Sequence, residues 1–65
     1  MGKILGHIYQ TVEEKAGIAG RIKLAQITGI SQQQAVTMRD KAGLIKRCKK
    51  AATEILGKDI EEFLK

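Results

Sequence analysis

Three consecutive glutamines, Gln32, Gln33 and Gln34, follow Ser31 near the middle of a 65-residue chain. A primary amide holds donors and an acceptor in one plane. A glutamine at the exposed head of a helix can therefore form two hydrogen bonds to the edge of one adenine, discriminating against other bases by roughly 1–3 kcal/mol. Glutamine is equally an ordinary helix-forming surface residue, and composition alone does not choose between the two. The densest charge is Lys46-Arg47-Lys49-Lys50, which is either a solvated face or a contact for an anion or an acidic protein. Twelve basic against seven acidic residues leave a net charge of +5, which favours an anionic partner through non-specific attraction.

Other reactive side chains are sparse. Cys48 is the single cysteine and His7 the single histidine, so neither a metal site nor a thiol catalyst is supported. Cys48 sits within an apolar stripe and reads as a small hydrophobe. Glu13-Glu14 and Glu61-Glu62 are adjacent pairs, and neighbours on a helix point apart. No glycine-rich phosphate loop follows a strand. An enzyme is not expected, nor any cofactor.

The elements that must position the glutamines are helices. Proline is absent, and Ala, Ile, Leu, Lys, Glu and Gln abound. Ile4, Leu5, Ile8, Val12 and Ala16 recur at helical spacing from Lys3 to Ala16, with Gln10, Thr11, Glu13 and Glu14 opposite. Tyr9 flanks that stripe, where its ring packs and its hydroxyl reaches water. Gly17 breaks the first helix and a second restarts near Gly20, running from Arg21 to Thr28. Ile18, Ile22, Leu24 and Ala25 supply its apolar stripe. Gly29 closes it, and Ser31 with Gln34 forms the S-x-x-Q pattern of a capping box. A third helix follows to about Arg39, with Ala35, Val36 and Met38 inward. Asp40 caps a fourth, Leu44 to Leu56, whose face of Leu44, Ile45, Cys48, Ala51, Ala52, Ile55 and Leu56 opposes the basic run. Gly57 stops it. Asp59 opens a short fifth helix, where Ile60, Phe63 and Leu64 return to the core and Lys65 suits the C-terminal end. The expected core is Ile8, Val12, Leu24, Ala25, Ile30, Cys48, Ala52, Ile55 and Phe63.

A helix, a tight turn at Gly29 and a second capped helix make a helix-turn-helix. Leu24-Ala25, Gly29-Ile30-Ser31-Gln32 and the Ala35/Met38 pair resemble the core motif of lambda-repressor/Cro-type helix-turn-helix domains. Leu5-Gly6, Ile8, Glu14 and Gly17-Ile18 are similar to that family's first helix and following turn. Ala51, Glu54-Ile55-Leu56-Gly57 and Ile60-Glu61-Glu62-Phe63-Leu64 look like its last two helices. The resemblance implies an all-α, compact four- to five-helix domain that binds double-stranded DNA in sequence-specific fashion, as a transcriptional regulator. It places the third helix in the major groove, with Gln32 and Gln33 at bases and Ser31, Thr37 and Arg39 near bases or phosphates. It puts Arg21 and Lys23 at phosphates, and it implies a two-fold dimer.

Length and composition fit a single domain over residues 1–65, one that buries only about 60% of its unfolded surface. One cysteine excludes an internal disulfide and fits a reducing compartment. No apolar run approaches the roughly 20 residues needed to span a bilayer. His7 and Gln10 interrupt the N-terminal apolar residues, so no signal peptide and a cytoplasmic location are expected. The alternative is a small helical protein-interaction module with a basic face and no role at DNA. A phage or plasmid accessory protein that assembles with other proteins comes third.

Overall fold

The computed structural model describes residues 3–64, with side chains from Ile4 to Phe63. Four helices, α1 (Lys3–Thr28), α2 (Gln32–Thr37), α3 (Ala42–Leu56) and α4 (Glu61–Leu64), pack as an all-α globule with α1 at its centre. No helix among the described residues is long and apolar enough to cross a membrane.

α1 is two arms joined at Gly17, whose φ of 78° and ψ of −178° are not helical. That combination is open essentially to glycine alone, which is why the break falls here. The second arm starts at once after Gly17, not near Gly20 as the sequence suggests. Gly20 lies inside it and is buried. A Cβ there would come within 2.4 Å of the Ala16 Cβ, so the missing side chain lets the arm fold back against the first. Gly29, at φ 74°, ends the arm and donates to the Ala25 carbonyl at 2.8 Å.

These conformations differ in what they tolerate. No atom lies near a Cβ added at either Gly17 or Gly29, so any cost there comes from the backbone alone. Gly17→Ala should destabilise by about 1–3 kcal/mol. Gly29 is in the left-handed helical region that asparagine also visits, so Gly29→Asn should cost less and Gly29→Val clearly more. Thermal melts of the three variants check this, and equal melts would contradict it.

The core is built on the first arm, where Leu5, Ile8, Tyr9 and Val12 are fully buried. Leu24, Ile30, Ala35, Cys48, Ala51, Ala52 and Ile60 close over them. Cys48, Ala51 and Ala52 are small, which lets α3 lie close against α1. Ala25, Ile55 and Phe63, expected inside, are only half-buried. Ile4, Ile18, Ile22 and Val36 belong to the expected stripes yet remain exposed. On the second arm Leu24 and Thr28 take the inward direction, and Ile18 and Ile22 fall on the far side of the helix.

Tyr9 and Thr11 also depart from the expected wet side, since both are buried. The Thr11 hydroxyl donates to the His7 carbonyl at 2.8 Å. The Tyr9 hydroxyl lies 2.5 Å from the Ile30 carbonyl and 2.7 Å from Thr28 Oγ1. Thr28 Oγ1 in turn is 2.9 Å from the Leu24 carbonyl and accepts from Ile30 N at 3.3 Å. Each hydroxyl has one proton, so two arrangements satisfy the group. Tyr9 donates to the Ile30 carbonyl in both, and Thr28 donates either to the Tyr9 oxygen or to the Leu24 carbonyl. Both tie the turn after α1 to its first arm.

Tyr9→Phe leaves these buried acceptors short of a donor and should cost ~1–3 kcal/mol. Burial raises the Tyr9 phenol above its ordinary 10.0, against the opposing Thr28 bond, and burial also raises the Cys48 thiol above 9.0. A raised folded value favours the neutral form, so this stability is fully present below about pH 9 and is lost as pH rises. Tyr9 is the only tyrosine and no tryptophan is present, so tyrosinate absorbance reports it alone. Ionisation above pH 10 should coincide with loss of helix, and Tyr9→Phe should lose helix less steeply over that range.

Asp40 does not cap the following helix. Its carboxylate accepts from Ile4 N at 3.2 Å and from Leu5 N at 3.4 Å, closing the head of α1. α3 begins instead after Lys41, which makes no side-chain cap. Reaching α1 requires an extended chain after α2, so that helix stops at Thr37, with Met38 at φ −74° and ψ 154°, rather than running to Arg39. At the other end, Thr53 Oγ1 accepts from Ile60 N at 3.1 Å and holds Ile60 against the core. Asp59 accepts from Glu61 N at 3.0 Å and opens α4, with Glu61 and Glu62 in its first turn. The Lys15 ammonium lies 5.3 Å from the Phe63 ring centre. The Leu64 side chain and Lys65 lie outside the described residues.

Candidate nucleic-acid interface

α2 starts where local chemistry requires. Ser31 Oγ accepts from Gln34 N at 3.2 Å, and Gln34 Oε1 accepts from Ser31 N at 3.0 Å. Both halves of the expected capping box are therefore formed. This engages the Gln34 carbonyl oxygen and removes that residue's two-bond pairing option.

Ala35 is fully buried and fixes the inward direction of α2. At about 100° per residue, Gln33 and Thr37 then face directly outward, two and two residues to either side. Both are exposed. The Gln33 amide makes no hydrogen bond among the described residues, leaving it free for a base edge. The Thr37 hydroxyl donates back to the Gln33 carbonyl at 2.9 Å, so it offers an incoming group only its lone pairs. Val36 turns toward the first arm, where its Cγ1 would lie 3.1 Å from a Cβ at Gly6. Gln32 is half-buried on the same flank.

The second arm contributes less evenly. Arg21 is half-buried and lines an open depression of about 480 Å³ together with Ile22, Ala25, Gln26, Gly29, Ser31, Gln32 and Gln34. The structure thus brings Arg21, Ser31 and Gln32 together. Lys23 is exposed but two residues from Arg21, which places it about 200° around the helix, away from that depression. Arg39 is exposed in the extended segment after α2. The depression was not apparent in the sequence. Its signal was there in Ile22, Ala25 and Gly29, which share a flank once Leu24 is taken as the inward residue.

Lys46, Arg47 and Lys50 are exposed on the outer surface of α3. Lys49 pairs with Glu61 at 2.6 Å, the one ion pair among the described residues, and both partners are open to solvent, so it contributes little. The other cations keep their field for an external anion. Cys48 is buried and its thiol is held protonated by burial. Comparison of the chain with protein families, with curated proteins and with solved structures finds no match.

Proposed function

We propose that the chain is a sequence-specific DNA-binding domain of the helix-turn-helix kind, acting as a transcriptional regulator, with α2 entering the major groove. One observation carries this: a capped helix, seated through Ala35, holds the unengaged Gln33 amide on its outermost line. The net charge of +5 supports it by drawing the domain to a polyanion. Gln33 reads a base edge and Gln32 lies beside it. Ser31 and Thr37 offer weaker contacts, since their hydroxyls are engaged in the helix. Arg21 and Arg39 serve phosphates and set register without reading sequence, whereas Lys23, on the opposite flank of the second arm, falls outside that contact. Pairing of half-sites would require a two-fold dimer.

Salt dependence tests the phosphate roles. Two neutralised phosphates give a slope of about −1.8 in log affinity against log salt. Affinity for a duplex should then fall about 12-fold when salt is raised fourfold. Arg39→Ala should lower the slope by about 0.9 and weaken all duplexes alike, and Lys23→Ala should leave it unchanged. A slope unchanged in Arg39→Ala would remove that residue from the interface.

A further inference from the structure

The depression between the second arm and α2 is chemically unlike the rest of the basic surface. Its floor is apolar, from Ile22, Ala25 and Gly29, and Ile18 lies outside it, one turn before Ile22 on the same helix. Ile18 and Ile22 are 58% and 49% exposed, large values for branched aliphatic side chains at the same helical flank. Arg21 is the one ionisable residue lining it, and no carboxylate does so. The Arg21 Nε is shielded from solvent and has no hydrogen-bond partner among the described residues. That atom is closed to an incoming group as well as to water, but Arg21 has no ion-pair partner among the described residues, and a carboxylate fits the outer edge of a guanidinium through two parallel bonds. Gln26 and Gln32 stand at the rim with neutral amides suited to a peptide backbone.

We propose that this depression docks a short acidic segment of a partner protein, in which a carboxylate lies beside an aliphatic or aromatic side chain. The carboxylate seats on Arg21 and the apolar side chain covers Ile22, Ala25 and Gly29, reaching toward Ile18. Charge complementarity selects this occupant over a second copy of the chain, because two copies would each bring a net charge of +5 and an Arg21 of their own to the contact. The segment would share Ser31 and Gln32 with the flank of α2, so an occupied depression would hinder approach of a duplex to that side.

Display selection of random twelve-residue peptides on the whole protein tests this. The expected result is enrichment of sequences in which Asp or Glu neighbours Leu, Ile or Phe. Synthetic versions of the enriched peptides, labelled for fluorescence anisotropy, should bind about tenfold or more weakly to Arg21→Gln. Ile22→Asp, a change at an exposed site, should abolish binding while leaving the melt nearly unchanged, which separates lost docking from lost folding. Replacing the peptide carboxylate by its amide should have the same effect as Arg21→Gln. Failure to enrich acidic-apolar sequences, or undiminished binding to Arg21→Gln and Ile22→Asp, would overturn the proposal. Gln33→Ala keeps the two functions apart: it should lose discrimination among duplexes while peptide binding stays intact, and equal loss of peptide binding would overturn the placement of the peptide in the depression. If Arg21→Gln weakens duplex and no peptide is enriched, the depression is a phosphate contact and the peptide site is wrong.

Discussion

Leu24→Ala is expected to unfold most of the protein at ambient temperature. The second arm of α1 places one large apolar side chain in the core, since Ile18, Ile22 and Ile27 are exposed and Ala25 is small and half-buried. Leu24 is fully buried among the first arm and the turn. Truncating such a leucine costs about 2–5 kcal/mol, as lost transfer energy and as an unfilled cavity. A single core in a chain this short supplies only about 3–5 kcal/mol in total. Even the lower cost should reduce the melting temperature by about 8 °C or more. Ile22→Ala makes the control, because an exposed site away from the core changes stability by no more than about 0.5 kcal/mol. Circular dichroism melts of the two variants decide it. A Leu24→Ala melt matching the unsubstituted protein would show that the second arm is held by something other than its core contact.

The parts of this fold that were legible in the sequence are those fixed by neighbours. Ser31 and Gln34 are three apart, so their capping box could be read from spacing and is formed. Gly17 breaks α1 because of its own backbone angles, and Gly57 ends α3 by donating to Thr53. What was not legible depends on distant chain. Asp40 looked like a cap for the helix after it, but it serves backbone amides 35 and 36 residues away. Tyr9 lies at the margin of its apolar stripe, a position that by itself favours the water's edge. Its burial depends on Thr28 and the Ile30 carbonyl, 19 and 21 residues on. Ile18 and Ile22 show the reverse case, exposed within an apolar stripe, since periodicity marks the stripe without saying how much of it a neighbouring helix covers.

The candidate interface divides the same way. The outward direction of Gln33 follows from the capping box and from Ala35 opposite, both readable in the chain. The separation of Arg21 from Lys23 was implicit in their spacing of two, which no helix can bring to one face. The shortness of α2 could not be foreseen, because it follows from the reach of Asp40 back to the head of α1.

Selection from random-sequence duplexes, repeated with Gln33→Ala, measures the central claim most directly. A reader of base edges enriches a defined sequence, and specific sites are typically bound 10³–10⁷ times more tightly than unrelated ones. One good two-bond pair accounts for roughly 1–3 kcal/mol of that difference, so Gln33→Ala should lose discrimination at one position by about 5- to 150-fold. Affinity for unrelated duplexes should barely change. A basic surface without readout behaves otherwise: no sequence is enriched, Gln33→Ala has no effect, and neutralising Lys46, Arg47, Lys49 and Lys50 together abolishes what weak binding there is. The account predicts the enriched sequence and its loss in Gln33→Ala; failure to enrich any sequence would contradict it.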